Sequence, residues 1–273
     1  MKKHIFVIVR YSVFTRTGAK NFILGRNNNL VDYKAELFND DRMAVHDFLF
    51  KHVTFESLKN QQGVDLNQDV TLIVLTSEDM PEKWYTSLYS SIKNYSWANI
   101  VRVNENSGVE TEVRNIIASI DEDMCYATIR LDDDDGLSND FLKNIYSYLR
   151  PEFSGHIVSH GYGYEGLFDL ESFKFININE FYYPKVSAGL AKIDTRESSN
   201  GHVNRSIYGA GNHVRVDRNY PTILDSRAPK IFRSAYAYQD TGGKGYEKRN
   251  KNSKSVDIAN ISGFDFLEHN LNS

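Results

Sequence analysis

Four short apolar runs in the first half of the chain limit the folds open to this sequence. They are HIFVIV at 4–9, VTLIVL at 70–75, NIVRV at 99–103 and CYATIRL at 125–131. Each run has the length of a buried strand, and segments with helical periodicity lie between the runs. Strands that alternate with helices predict an α/β fold, with a mostly parallel, Rossmann-like sheet and helices on both of its faces.

Three of the intervening segments predict particular helices. DRMAVHDFLFKHVTF (41–55) and MPEKWYTSLYSSIKNY (80–95) are amphipathic, and 109–120 carries the clearest apolar face. A further helix is expected after 138, with Ser138 as its cap and Pro151 beyond its end.

Composition excludes several classes of protein. The 273 residues are 41% hydrophobic and 25% charged, which is typical of a soluble globular chain that can bury a sizeable core. The single cysteine, Cys125, excludes an internal disulfide framework and a four-cysteine zinc site. No apolar run is long enough to cross a bilayer, and MKKHIFVIV is expected to be a first strand rather than a signal peptide. The net charge of −4 gives no reason to expect nucleic acid as a partner.

Four consecutive aspartates, in ATIRLDDDDGLSNDF (127–141), follow the last of the apolar runs. On an extended chain Asp132 and Asp134 would face one side and Asp133 and Asp135 the other. Two carboxylates about 6 Å apart, at an effective dielectric near 20, repel by roughly 3 kcal/mol, so a positive group is expected nearby.

The position of these aspartates favours a ligand site over a solvated acidic loop, which is the alternative. They lie at the carboxyl end of a central strand, where open α/β sheets bind ligands, and Gly136 lets the chain turn. Carboxylates held there suit an oxygen-preferring cation such as Mg²⁺ or Mn²⁺.

RLDDDDGLSNDFL resembles the Asp-x-Asp region of GT-A glycosyltransferases, and more narrowly a bacterial rhamnosyltransferase family in which Arg-Leu-Asp-x-Asp-Asp precedes a helix. The first strand ending in Arg10, the segment around Trp84 and SAGLA at 187–191 fit the same plan. The resemblance implies a GT-A domain at 1–220, with a nucleotide-sugar half at 1–150 and an acceptor half at 151–220. Residues 221–273 would then be a basic, aromatic extension with a terminal helix.

The same resemblance implies roles for individual residues. Asp132 would face the ribose or the metal, Asp134 would bind the metal that bridges the two phosphates, and Asp135 would lie close by. Asp133 is the least expected ligand. Arg10 would contact the nucleotide, the alternative being an ordinary surface arginine.

His213, in YGAGNHVRV, would be a further metal ligand, because GT-A enzymes often take a histidine from this later region. Its alternative is a structural or surface role. Resemblance to inverting enzymes also implies a carboxylate base. The candidates are Glu165, Asp169, Glu171, Glu180, Asp194, Glu197 and Asp217. We select Asp194, because it follows the SAGLAKI segment expected near the donor sugar.

Two further regions carry predictions. Tyr162, Tyr164, Tyr182 and Tyr183 would form an aromatic acceptor cleft beside a mobile glycine loop, or would fill the core instead. The stretch 226–254 is the clearly basic region of the chain, with eight lysines and arginines. It could contact anionic lipid, remain a solvated tail, or close over the donor as a lid hinged at Gly242, Gly243 and Gly245.

The resemblance therefore implies a metal-dependent, inverting glycosyltransferase that moves a sugar, with rhamnose as the family's label, from a nucleotide-sugar donor to a saccharide or lipid-linked saccharide acceptor. The expected setting is bacterial surface-polysaccharide synthesis, in the cytoplasm or at the inner membrane surface. Two alternatives stay open: another metal-dependent α/β enzyme, such as a nucleotidyltransferase or phosphatase, and a non-catalytic carbohydrate-binding protein.

Overall fold

The computed structural model describes residues 1–16, 29–239 and 244–270. The strands are β1 (Lys2–Arg10), β2 (Val70–Ser77), β3 (Ala98–Val103), β4 (Met124–Asp132), β5 (Gly136–Leu137), β6 (Ile157–Ser159), β7 (Tyr162–Asp169), β8 (Lys174–Tyr182), β9 (Leu190–Arg196), β10 (Thr222–Leu224) and β11 (Ile231–Ala235). The α-helices are α1 (Leu30–Leu37), α2 (Asp40–Leu49), α3 (Phe55–Lys59), α4 (Leu66–Asp69), α5 (Glu82–Ile92), α6 (Val109–Ala118), α7 (Phe141–Ser147) and α8 (Lys244–Asn250).

Seven strands form a central sheet in the spatial order β10, β6, β9, β4, β1, β2, β3. β1 pairs in parallel with β2 and with β4, and β2 pairs in parallel with β3, whereas β9 runs antiparallel to β4 and β6. The four predicted strands are all present, so the predicted α/β class with a mostly parallel sheet is confirmed.

The central sheet is buried on both faces, which explains the continuous apolar runs of its strands. In β1, Ile5, Val7 and Val9 pack into one core cluster, while Phe6 and Ile8 pack into another on the opposite face. The side chain of Cys125, on β4, is buried in the first cluster.

Four further strands form a second sheet, in the order β5, β11, β7, β8. β11 pairs in parallel with β7 and antiparallel with β5, and β10 belongs to the central sheet. The structure therefore does not set 221–270 apart as an extension. Phe232 and Phe266 are fully buried, and the predicted terminal helix is a 3₁₀ helix at Asp265–Asn270.

The predicted helices are present with two differences. The helix expected over 41–55 is interrupted after α2 by a π-helix, Phe50–Thr54, before α3 continues it. Ser138 does not cap α7, whose N-cap residue is Asp140. Instead the Ser138 hydroxyl donates to Asp140 Oδ1 over 2.8 Å.

The expected mobile glycine loop is strand β7. Gly163 lies against β11, where a Cβ atom would come within 1.9 Å of the Ile231 carbonyl oxygen. Glycine at 163 therefore reflects close backbone approach between two paired strands.

We expect Gly163→Ala to lower the free energy of unfolding by about 3 kcal/mol, because β7 and β11 must move apart to admit the methyl group. Urea denaturation followed by circular dichroism measures the change. Gly108→Ala is the control, since a Cβ at 108 would meet its nearest atom, Thr111 Oγ1, at an ordinary 3.8 Å. A Gly163→Ala protein as stable as the control would contradict the packing described here.

Candidate active site

A cleft of about 450 Å³ opens where β1 and β4 end. Arg10 and Asp132 are the last residues of these strands and are register partners in the parallel pair. The cleft is lined by Arg10, Ser12, Val13, Tyr33, Leu37, Arg42, His46, Asp132, Asp133, Asp134, Asp135, Phe181, Tyr183, Val186, Ser187, His213, Arg233, Tyr236, Tyr238, Gln239 and Arg249. Of the predicted site residues, Arg10, the aspartates and His213 are thus brought together.

Asp132 is paired with two arginines. Arg10 Nη2 lies 2.7 Å from Asp132 Oδ1, and Arg130 Nη2 lies 3.4 Å from Oδ2. Burial alone would raise the pKa of Asp132, but the charges of Arg130 and Arg10 outweigh it and hold that pKa well below its ordinary value. These arginines are the positive groups that the aspartate run was expected to need.

Tyr208 supports both arginines. The guanidinium carbons of Arg10 and Arg130 lie 5.4 and 5.6 Å from the centre of its ring, and its hydroxyl donates to the Ile8 carbonyl over 3.2 Å. Burial raises the pKa of Tyr208 to about 12. Sequence reasoning did not identify this residue, which belongs to a short 3₁₀ helix at Ile207–Ala210.

The other three aspartates do not continue the strand. β4 ends at Asp132, and the amide of Asp135 turns back to donate to the Asp132 carbonyl over 3.3 Å. The predicted alternation of faces therefore stops at Asp132. Asp133, Asp134 and Asp135 are only 5%, 7% and 4% exposed, so a solvated acidic loop is wrong.

A buried hydrogen-bond network holds Asp133 and Asp134. His46 Nδ1, on α2, lies 3.0 Å from Asp133 Oδ1, and His46 Nε2 lies 3.0 Å from the Tyr236 hydroxyl. That hydroxyl lies 3.0 Å from Asp134 Oδ2, which also accepts a 2.9 Å bond from Gln239 Nε2. The interrupted helix that carries His46 and the segment after β11 thus meet at the aspartates.

Asp134 and Asp135 have raised pKa values. For Asp134 the cause is burial, followed by the charge of Asp133. For Asp135 it is burial, followed by the charge of Asp134, and this pKa lies well above its ordinary value although the Ser234 amide donates to Asp135 Oδ1 over 3.3 Å. The protein alone therefore under-compensates the negative charge on this side of the cleft.

His213 is oriented by the backbone. Its Nδ1 lies 2.6 Å from the Lys185 carbonyl oxygen, which can only accept, so Nδ1 carries the proton. Burial lowers the pKa of His213, which favours the neutral ring with a lone pair on Nε2. A histidine that binds a metal usually donates its other ring N–H to a group of this kind.

The donor atoms fit an oxygen-preferring divalent ion. Asp133 Oδ2 is buried and has no hydrogen-bond partner among the residues that the structure describes, although it belongs to a carboxylate that lines the cleft. Within 1–16, 29–239 and 244–270, no three His, Cys, Asp or Glu side chains form a ready-made metal site. An ion held by one or two carboxylates and completed by substrate phosphates, as is usual for Mg²⁺, suits this arrangement.

The structure places Asp194 elsewhere, which corrects its selection as the base. It is the register partner of Tyr126, six residues before Asp132 on β4, and six residues of strand span about 20 Å. There Asp194 forms a buried ion pair with Lys192 and accepts a 3.1 Å bond from Asn204. Burial raises the pKa of Asp194, but no part of it lines the cleft.

Only one of the four tyrosines proposed for an acceptor cleft lines this cavity. Tyr183 does, whereas Tyr162, Tyr164 and Tyr182 do not. Tyr238, which sequence reasoning assigned to the basic region, lines it too.

The basic region 226–254 is largely paired. Five of its eight lysines and arginines form ion pairs: Arg227 with Asp225, Lys230 with Asp140, Arg233 and Arg249 with Glu165, and Lys254 with Glu180. Of the proposed lid hinge, Gly245 lies in α8, and Gly242 and Gly243 lie outside the described residues. In the described part of the chain, no helix is both long and apolar enough to span a bilayer.

The mostly parallel sheet has charged side chains at the carboxyl ends of its strands. This arrangement defines an α/β protein whose ligand cleft lies where such sheets bind their ligands. Residues 4–248 match the family described as "Putative rhamnosyl transferase". The chain belongs to this family and is a glycosyltransferase.

The solved structures to which the chain is similar are distant from it. S. aureus TarS 1-349 is 12% identical with a TM-score of 0.38, over 98% of this chain and 71% of that one. Mannosyltransferase PcManGT from Pyrobaculum calidifontis, in complex with GDP-Man and Mn²⁺, is 12% identical with a TM-score of 0.43, over 92% and 61%. HddC from Yersinia pseudotuberculosis is 14% identical with a TM-score of 0.40, over 98% and 97%. Comparison with curated proteins gives no significant match.

The opposite environments of Asp132 and Asp135 predict opposite effects of the same substitution. Asp132→Asn should lower the free energy of unfolding at pH 7 by about 2 kcal/mol, because two partly buried arginines lose their counter-charge. Asp135→Asn should raise it at pH 8, because it removes a carboxylate whose charged form is disfavoured by burial.

Urea denaturation between pH 4 and pH 8, with a chelator present, measures both changes. A lowered pKa stabilises the fold above the unfolded value, near 4, and this contribution is lost as pH falls through the folded value, so the deficit of Asp132→Asn should persist at pH 5. A raised pKa destabilises the fold as pH rises from the unfolded value, near 4, toward the raised folded value, so the advantage of Asp135→Asn should shrink toward pH 4. Two variants with the same pH dependence would contradict the electrostatics described.

Proposed function

We propose that this glycosyltransferase is metal-dependent and moves a sugar, rhamnose being the first candidate, from a nucleotide-sugar donor to a saccharide or lipid-linked saccharide acceptor. The observation that carries the proposal is the group of buried, under-compensated carboxylates at the carboxyl end of β4. One of them, Asp133, has an oxygen without a hydrogen-bond partner in the described part of the chain. Buried carboxylates whose negative charge is not compensated by the protein favour the binding of a divalent cation.

The residues of the cleft divide the task of donor binding. Asp134 and His213 are the proposed metal ligands, with Asp133 and Asp135 next to them. Asp132 orients Arg10, which is proposed to contact the nucleotide at the end of β1. A bound Mg²⁺ or Mn²⁺ would neutralise the charge that develops on the diphosphate leaving group.

The site for base catalysis is proposed to lie in the same cleft. An inverting displacement needs a carboxylate within about 3 Å of the acceptor hydroxyl in the reactive complex. Because Asp194 lies away from the cleft, it is not retained as the base, and no other carboxylate is assigned to this role.

The proposed role in surface-polysaccharide synthesis, in the cytoplasm with contact at the inner membrane, rests on the family relationship. Among the described residues, four carboxylates pair with five of the eight lysines and arginines of 226–254, which reduces the positive charge that would attract anionic lipid and weakens the support for membrane contact.

Asp134→Ala should abolish Mn²⁺-dependent binding of nucleoside diphosphates while leaving the protein folded, because it removes a metal ligand and a like charge. Isothermal titration calorimetry with UDP, GDP and dTDP, with and without Mn²⁺, measures the effect. Asp121→Ala is the matched control, since Asp121 is exposed and precedes the opposite end of β4. Undiminished Mn²⁺-dependent binding by Asp134→Ala would refute its assignment as a ligand.

Transfer from the preferred nucleotide-sugar should give a product with the opposite anomeric configuration to the donor, as a single displacement requires. Nuclear magnetic resonance of the glycoside product determines the configuration. A product that keeps the donor's configuration would exclude the inverting scheme but not glycosyl transfer.

A further inference from the structure

The cleft has a second charged wall, opposite in sign to the aspartates. Glu165, on β7, is fully buried beneath it. Arg249 Nη2 and Nε lie 2.8 and 3.1 Å from Glu165 Oε1, and Arg233 Nη1 lies 3.1 Å from the same oxygen. Asn250 Nδ2 donates to the other oxygen, Oε2, over 2.6 Å. One buried carboxylate thus fixes two arginines, and both of them line the cleft.

The charges on this wall do not cancel. Two guanidinium groups against one carboxylate leave one positive charge, because arginine stays protonated and Glu165 accepts hydrogen bonds at both oxygens. The electrostatic field of Arg233 also reaches Asp135. Within the described chain, the Arg233 Nε atom is buried without a hydrogen-bond partner, while other atoms of Arg233 line the cleft.

Aromatic rings accompany these arginines. The Arg233 guanidinium carbon lies 5.1 Å from the centre of the Phe181 ring. Tyr183 and Tyr238 line the same cleft and remain 42% and 40% exposed. Aromatic faces pack against the CH groups of a sugar ring, and guanidinium groups bind carboxylate or phosphate through paired hydrogen bonds.

We propose that this wall, formed by Arg233, Arg249, Tyr183 and Tyr238, binds an acceptor sugar that carries a negative charge, such as a uronic acid or a phosphorylated sugar. The proposal deepens the glycosyltransferase function proposed above and rests on it. It names the class of acceptor at the same cleft.

The position of the wall assigns it to the acceptor rather than to the donor. Arg233 lies on β11 of the second sheet and Arg249 on α8. The arginines beside Asp132 are instead Arg10 and Arg130, on β1 and β4 of the central sheet, at the strand ends where nucleotides bind in α/β folds. Donor and acceptor thus have separate arginines on separate walls.

The acceptor class is tested by comparing acidic with neutral sugars on the full-length protein. Saturation-transfer difference NMR titrations would use glucuronic acid, galacturonic acid and glucose 6-phosphate against glucose and galactose, with and without Mn²⁺ and a nucleoside diphosphate. At least one acidic sugar should bind about tenfold or more tightly than its neutral counterpart, the contribution of a charge-assisted pair. The uronic acids and the sugar phosphate distinguish the two sources of negative charge.

Two variants locate the effect. Arg249→Gln should remove the preference for the acidic sugar and leave nucleoside diphosphate binding intact. Lys248→Gln, which removes the same charge from an exposed position one residue earlier on α8, should change neither.

Equal affinity of the wild-type protein for acidic and neutral sugars, or binding of neither, would overturn the proposal without any variant being needed. Loss of nucleoside diphosphate binding in Arg249→Gln would also overturn it, because the wall would then serve the donor. Absence of Mn²⁺-dependent nucleotide binding in the wild-type protein is a separate result, which refutes the proposed metal-dependent donor site instead.

Discussion

The pairing of Asp132 with Arg10 and Arg130 is the interaction on which the cleft depends. It joins the ends of two neighbouring parallel strands at the edge where the chain must leave the sheet. With the charge of Asp132 compensated within the sheet, the next three aspartates can turn into the protein and face the cleft as a group. The edge of the sheet thereby carries a cluster of buried carboxylates that line the cleft, rather than a solvated loop.

The cleft is lined by charged groups of both signs, the aspartates at the end of β4 and the arginines fixed by Glu165. The metal-dependent transfer proposed above would use both groups, the aspartates for a metal ion bound to the diphosphate and the arginines for the acceptor. Ligands that match these charges would also displace water from the cleft, and the lower dielectric would strengthen the electrostatic interactions inside it.

The sequence predicts what depends on local pattern. The four strands of the first half follow from continuous apolar runs, and the acidic run could be placed at the end of β4 because that strand was recognisable. The contacts that complete the site are long-range: His46 meets Asp133 across 87 positions and Tyr236 meets Asp134 across 102. No pattern marks such partners. Asp194 was selected by its proximity in sequence to SAGLAKI, yet the antiparallel direction of β9 carries it to the far end of the sheet.

The pairing of β11 between β5 and β7 has a consequence for how the protein is made. β5 is complete by residue 137, but its partner strand begins at Ile231, and Tyr236 and Arg249 follow later still. During translation the aspartates therefore emerge long before the groups that cover and oppose them. Until then the growing chain exposes apolar strand edges beside aspartates whose charge is not yet compensated. We expect chaperones to bind the exposed strands and divalent ions to bind the aspartates prematurely.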